Sequence, residues 1–346
     1  MSARLPYLLI AYAALLFAGI TTAQPVQVPP PKAETPPARD VVAARVNGQP
    51  IPELAVFRSL TRVPLDRREE ARKDVLTFLI DNMIVDQYLL QIQTQLKIQV
   101  EAKEVEEHFL KVKKEAADMG NDFDKLLKEL MITESEMRIE LTSALRWDKF
   151  VLKQGPDAVL QDYFKNNLGM FNGSETKARH ILLPAPDSKT ADVVGKLTAI
   201  KKKIEAEVAV ALVKLPAGTD AITREKARAK TLEDAFAEAA TKESTCPSKK
   251  DGGDLGFFPR VGAGAMVEPF AKAAFALKPY QMSEPVATDF GYHLILAIDS
   301  KPGRDVKFED PKVKAFVQEV YADRLREAVL TSYKAKSKIE IVERKK

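Results

Sequence analysis

The sequence predicts an α+β protein in which a small antiparallel sheet with surrounding helices is inserted between N- and C-terminal helical segments. Three observations predict it. Leu76, Leu79, Ile80, Met83 and Ile84 recur at the spacing of one helix face. Downstream the period changes: short apolar strands at 178–183 and 292–299 stand far apart in sequence, with helical stretches between them. Helical spacing then returns at Val313, Phe316, Val317, Val320 and Tyr321. Such a tail cannot bury its apolar face alone, so it is expected to pack back on the first helical module.

In chain order, Arg4 precedes an apolar run at 8–20 that ends in the small residues Thr21, Thr22 and Ala23. Charge, short apolar core and small residues make a secretory signal over 1–23. Cleavage after Ala23 is expected, with an uncleaved anchor as the alternative. No other stretch is expected to cross a membrane. Residues 24–40 are a Pro-rich tether, with Pro29, Pro30, Pro31, Pro36 and Pro37 blocking helix and ladder alike.

Residues 41–155 form the N-terminal helical module. It opens with a strand at 42–46 and a tight turn at Asn47-Gly48. Asp66 with Glu69 reads as a capping box. Val105, Phe109 and Val112 mark another helix. Thr133 and Glu136 cap a third, whose apolar face carries Met137, Leu141, Ala144 and Leu145. A connecting helix follows at 156–173, fraying at Asn172-Gly173.

The inserted domain spans 174–304. It reads as a strand, a long helix at 191–214, a Pro-Ala-Gly break, a helix at 232–241, a Gly-rich loop at 244–258, a helix at 269–275 and a closing strand. Residues 305–346 supply the returning helix and an alternating edge strand at 338–342.

Composition excludes some functions. The 53 basic and 49 acidic residues leave a net charge of +4, and no basic face interleaved with aromatics is visible, so no nucleic acid is expected. The Gly252-Gly253-Asp254-Leu255-Gly256 run lacks the Lys-Ser/Thr ending of a phosphate loop and follows no strand, so no nucleotide is expected either. Cys246 is the sole cysteine and precludes an internal disulfide.

The informative stretches are KARHILL at 177–183, CPSKKDGGDLGFFPR at 246–260, MVEPFAKAAFAL at 266–277 and TDFGYHLI at 288–295. On spacing alone, Met266 and Phe270 read as core residues, and His180 and His293 as satisfied core histidines. Four motifs in one order, however, resemble the parvulin family of peptidyl-prolyl isomerases across the whole inserted domain.

The resemblance implies a catalytic site. Leu255, Met266 and Phe270 would cup the proline ring, with Phe290 as a wall. His180, His293 and Thr288 would form a hydrogen-bonded polar floor. Cys246 occupies a position that is Cys or acidic in parvulins, and a polar contact to the carbonyl region is its expected role; an inert small side chain is the alternative. No cofactor or metal is implied, because His180, Cys246 and His293 lack local ligand spacing. The loop at 184–189 holds one acid and one base, so phosphate dependence is not expected. Residues near 207–230 lengthen the first helical region beyond the family's habit.

The order of segments also resembles exported folding factors of the SurA and PrsA kind. That implies a helical module holding unfolded or nascent exported polypeptides with Xaa-Pro bonds. The location implied is the periplasm or the outer face of the cytoplasmic membrane, with membrane contact only through an uncleaved signal. A non-catalytic module that merely holds peptides is the alternative. Met266→Ala or Phe270→Ala is expected to slow isomerisation more than it destabilises the fold.

Overall fold

The computed structural model describes residues 35–184 and 190–342. The expected signal at 1–23, most of the tether, and the acid and base of the loop at 184–189 lie outside the described residues. The chain divides into two compact units, one drawn from Met1–Val159 and Tyr321–Lys346, the other being Leu160–Val320.

The first unit begins with β1 (Val42–Val46) and β2 (Gln49–Pro52), joined through Asn47 and Gly48. Both turn residues have positive φ, 51° and 84°, which gives the twist a two-residue hairpin requires. Helices α1 (Glu53–Leu60), α2 (Arg68–Leu96), α3 (Ala102–Asp118), α4 (Phe123–Glu129) and α5 (Glu134–Gln154) follow. At the other end of the chain, β7 (Ile339–Ile341) pairs antiparallel with β1 and completes a sheet of order β2-β1-β7. Leu76, Ile80 and Ile84 of α2 pack on this sheet with Ala44, Val46 and Ile51. Phe109, Phe123, Met137 and Leu141 form a separate cluster among α3, α4 and α5.

Thr133 caps α5 as expected: its Oγ1 accepts from Glu136 N at 3.1 Å, and Glu136 Oε2 accepts from Thr133 N at 2.7 Å. The capping box expected at Asp66 and Glu69 does not form. A 3-10 turn at Leu65–Arg67 takes up Asp66, and α2 starts only at Arg68, with Arg67 in the cap position. A second correction concerns membranes. The helical stretch Leu65–Leu96 is long and apolar enough to cross one by length and composition. One part of its apolar surface serves the core, where Val85 and Leu89 pack with Ile98, Phe150 and Val329.

The expected connecting helix is broken into α6 (Asp157–Asn166) and α7 (Leu168–Phe171). Asn167 stops the first by donating from Nδ2 to Tyr163 O at 2.8 Å, which satisfies a carbonyl of the final turn.

The second unit is built on β3 (Glu175–Leu183), β4 (Asp254–Pro259), β5 (Val286–Thr288) and β6 (Gly291–Lys301). They form an antiparallel sheet of order β4-β3-β6-β5. Two helices, α8 (Thr190–Val213) and α9 (Ala221–Glu243), make a hairpin that covers one face. Leu197, Ile204, Leu232 and Phe236 bury that face with Ile181, Leu183, Leu294 and Leu296. The opposite face packs Ala178 and Ile295 against Phe258 and against Phe270 of α10 (Glu268–Ala276). With both faces covered, β6 is buried continuously from His293 to Ile298, the pattern of an inner strand.

Two strands and part of a helix depart from the expectation. The stretch read as a Gly-rich loop holds a 3-10 turn at Pro247–Asp251 and then β4. Its Gly and Pro disguise a strand that an edge position tolerates. β5 has only three residues, too few for alternation to show. Helix α9 starts at Ala221 rather than 232, because residues 221–231 bury nothing and therefore present no periodic face. Asp220 starts it by accepting from Ile222 N and Thr223 N.

Candidate active site

The register of the sheet aligns three polar residues. Leu182 of β3 lies opposite His293 of β6, and His180 is two residues before Leu182, so both imidazoles leave the same face. On the other side Val286 of β5 lies opposite His293, and Thr288 is two residues further along that face. The result is a diagonal line over β5, β6 and β3. Thr288 Oγ1 is 2.7 Å from His293 Nε2, and His293 Nδ1 is 3.1 Å from His180 Nδ1.

Two imidazoles have four ring nitrogens, and this line engages only three. The fourth, His180 Nε2, lies 3.1 Å from Ser248 Oγ. Ser248 was not among the residues read from the sequence, although it sits inside the CPSKKDGG stretch. The nitrogen count itself is the signal for it: a buried imidazole pair needs a partner at each end. Hydroxyls at both ends can donate or accept, so the chain of hydrogen bonds can run in either direction with both rings neutral. Burial favours that neutrality, pushing both histidines down to about 4, and at His293 the neighbouring His180 adds to the effect.

The loop that carries Ser248 is fastened to β3 by main chain. His180 N donates to Gly253 O at 2.9 Å, Thr245 N donates to Leu182 O at 2.9 Å, and Leu182 N donates to Ser244 Oγ at 3.1 Å. Gly253 has φ +77°, and a Cβ there would stand 2.3 Å from His180 O. Only glycine permits this approach. Gly253 thus seats the loop on His180. Arg179, on the neighbouring position of β3, reaches from Nη1 to Asp251 O at 2.9 Å and from Nη2 to Glu233 Oε1 at 3.0 Å, tying the loop to α9.

Above the imidazoles lies the apolar part. Phe270 is 2% exposed and meets both rings edge to face, with centroids 5.5 Å from His180 and 5.1 Å from His293. Leu255 and Met266 are half-buried and pack against the same cluster. Pro269, in the first turn of α10, lies between Met266 and Phe270 where its missing N–H costs nothing. Cys246 is half-buried at the start of the 3-10 turn. Among the described residues no hydrogen bond reaches its Sγ from the imidazole pair; the direct polar partner of His180 is Ser248. Phe290 is 62% exposed, and its main-chain N donates to Thr288 Oγ1 at 3.2 Å.

An apolar cluster thus lies against a neutral, fully bonded polar line. Neither imidazole is poised to transfer a proton near pH 7. The fold is that of a parvulin-like α+β domain, with an antiparallel sheet flanked by helices. The family described as PPIC-type PPIASE domain (rotamase) matches residues 214–299. Foldase protein PrsA of Geobacillus sp. (strain WCH70) is 34% identical over 157 residues, covering 44% of this chain and 42% of that protein. Foldase protein PrsA of Caldanaerobacter subterraneus is 26% identical over 275 residues, covering 76% of this chain and 72% of that protein. A crystal structure of PrsA from Bacillus anthracis is 23% identical, covers 72% of this chain and 96% of that one, and superposes with a TM-score of 0.43. The match thus spans less than half of the first relative's own length. The chain carries a parvulin-type domain related to those of the PrsA foldases.

Proposed function

We propose that this chain is a peptidyl-prolyl cis/trans isomerase acting on Xaa-Pro bonds of unfolded exported polypeptides, without phosphate dependence. The observation that carries the reading is the unbroken line Thr288–His293–His180–Ser248 beneath the Phe270, Met266 and Leu255 cluster. No covalent bond changes in this reaction. The imide must pass through a twisted state, against a barrier of about 18–20 kcal/mol for peptide bonds in general. Twisting removes the resonance that places charge on the carbonyl oxygen. An apolar cup holds the prolyl ring and keeps water from the imide, so the less polar twisted form gains relative to the planar one. The polar line fixes the shape of the cup; it has no proton to supply. Catalysis is then differential binding of the twisted imide.

The first unit would hold the client while the second acts on it, in the manner of the SurA and PrsA architecture. What supports this is a cavity of 630 Å³ in the first unit, lined by Ile51, Leu54, Phe78, Met83, Ile139 and Trp147 among others. Charges on its lining are largely matched, Arg39 with Glu136 and Arg58 with Glu140, which suits an uncharged apolar segment. Export, expected from the N-terminal run, would place this activity in the periplasm or on the outer face of the cytoplasmic membrane.

Magnetisation-exchange NMR on an Ala-Pro peptide tests the catalytic reading. Exchange well above background with the full chain is expected. Background exchange together with peptide binding would leave only the holding module.

A further inference from the structure

The α8–α9 hairpin ends in a tip that the sheet does not use. Val208 and Leu232 are the last residues its two arms bury, and no side chain between them is buried. Both arms pack on the face opposite the imidazoles, so the tip is no part of the proline site. It nevertheless displays aliphatic side chains. Val210, Val213 and Ile222 are 54%, 83% and 69% exposed, the first two in the last turn of α8 and the third in the first turn of α9.

Charge around them is net positive, with Lys214, Arg224, Lys226 and Arg228 against Asp220 and Glu225. The two tip carboxylates are engaged: Asp220 accepts from Ile222 N and Thr223 N, and Glu225 holds the guanidinium of Arg228. Lys214, Arg224 and Lys226 are exposed, and among the described residues none of their side chains has an ion pair or hydrogen bond. Aliphatic side chains beside uncompensated cations match an anionic lipid surface, where the former reach the acyl boundary and the latter meet headgroup phosphates.

We propose that the hairpin tip inserts into the headgroup layer of an anionic membrane. The reporter is full-length Val213→Trp, read against the wild-type chain, whose Trp147 supplies the shared background. On vesicles of phosphatidylglycerol and phosphatidylethanolamine, its emission is expected to shift to the blue and to be quenched by brominated lipid. Pure phosphatidylcholine should give neither effect. Adding Lys214→Gln, Arg224→Gln and Lys226→Gln is expected to weaken vesicle binding read at the tip about a hundredfold, each cation accounting for about fivefold. The melting curve should stay unchanged, since no tip side chain is buried. Because the reporter reads depth at residue 213 and all variants keep the same N-terminus, attachment through the first segment does not imitate the result. Absence of a shift on anionic vesicles would overturn the proposal, as would equal response to phosphatidylcholine. So would a lipid-free shift with concentration-dependent dimerisation, or a shift evoked only by an unfolded polypeptide.

Discussion

His180 and His293 give the molecule a signature in pH. Each is held near 4 in the fold, against 6.5 for the free side chain. Between those values the unfolded chain binds protons that the folded one refuses. The stability they contribute is therefore complete above pH 6.5 and falls as pH drops towards 4. Denaturant titrations of the full chain at pH 7.5 and pH 5 should show the loss, and His293→Leu should flatten it. Exchange of the Ala-Pro peptide should stay level between pH 6.5 and 8, because neither ring titrates there. Ser248→Ala strips His180 Nε2 of its partner. It is expected to cost about 1–3 kcal/mol if water does not replace the hydroxyl, and to slow exchange, with Ser248→Thr restoring both. The cup residues separate by burial. Phe270→Ala should cost about 3–5 kcal/mol, as buried aromatics do. Met266→Ala, half-buried, should slow exchange with little shift in melting temperature. The two imidazoles were visible in the sequence through the motifs around them. Ser248 was not, because a serine in a polar loop carries no pattern until a lone-pair count asks for it.

Gly253 shows how an element depends on one backbone angle. Its left-handed φ lets the loop after α9 lie against β3 and deliver Ser248 to His180. Gly253→Ala should lose at least about 1–2 kcal/mol from the backbone conformation alone, and more from the clash with His180 O. Loss of exchange should accompany it, because the loop lifts from the line; a titration melt and the exchange assay on one sample check both. Helices with a buried stripe, such as α2 and α5, were legible because burial imposes a period. β4 was hidden by its Gly and Pro, β5 by its brevity, and the outer half of α9 by its lack of any core to face. Sequence periodicity reports burial, so elements that bury little leave little trace.

The first unit draws its sheet from both ends of the chain, through β7 against β1. Removing residues 334–342 should bare the outer edge of β1, where Asn47 N now donates to Lys338 O and Val342 N to Ala43 O. An earlier melting transition and a tendency to associate are expected. Exchange of a short peptide should persist, since β3, β4, β5 and β6 lie wholly within Leu160–Val320. This pairing also fixes an order of events. As the polypeptide emerges from its N-terminus, every strand of the second unit is available before β7 is. The second unit can therefore finish folding while the first still waits for residues 339–341, and a chain stalled before them would carry the complete four-stranded sheet of the second unit and an incomplete sheet in the first.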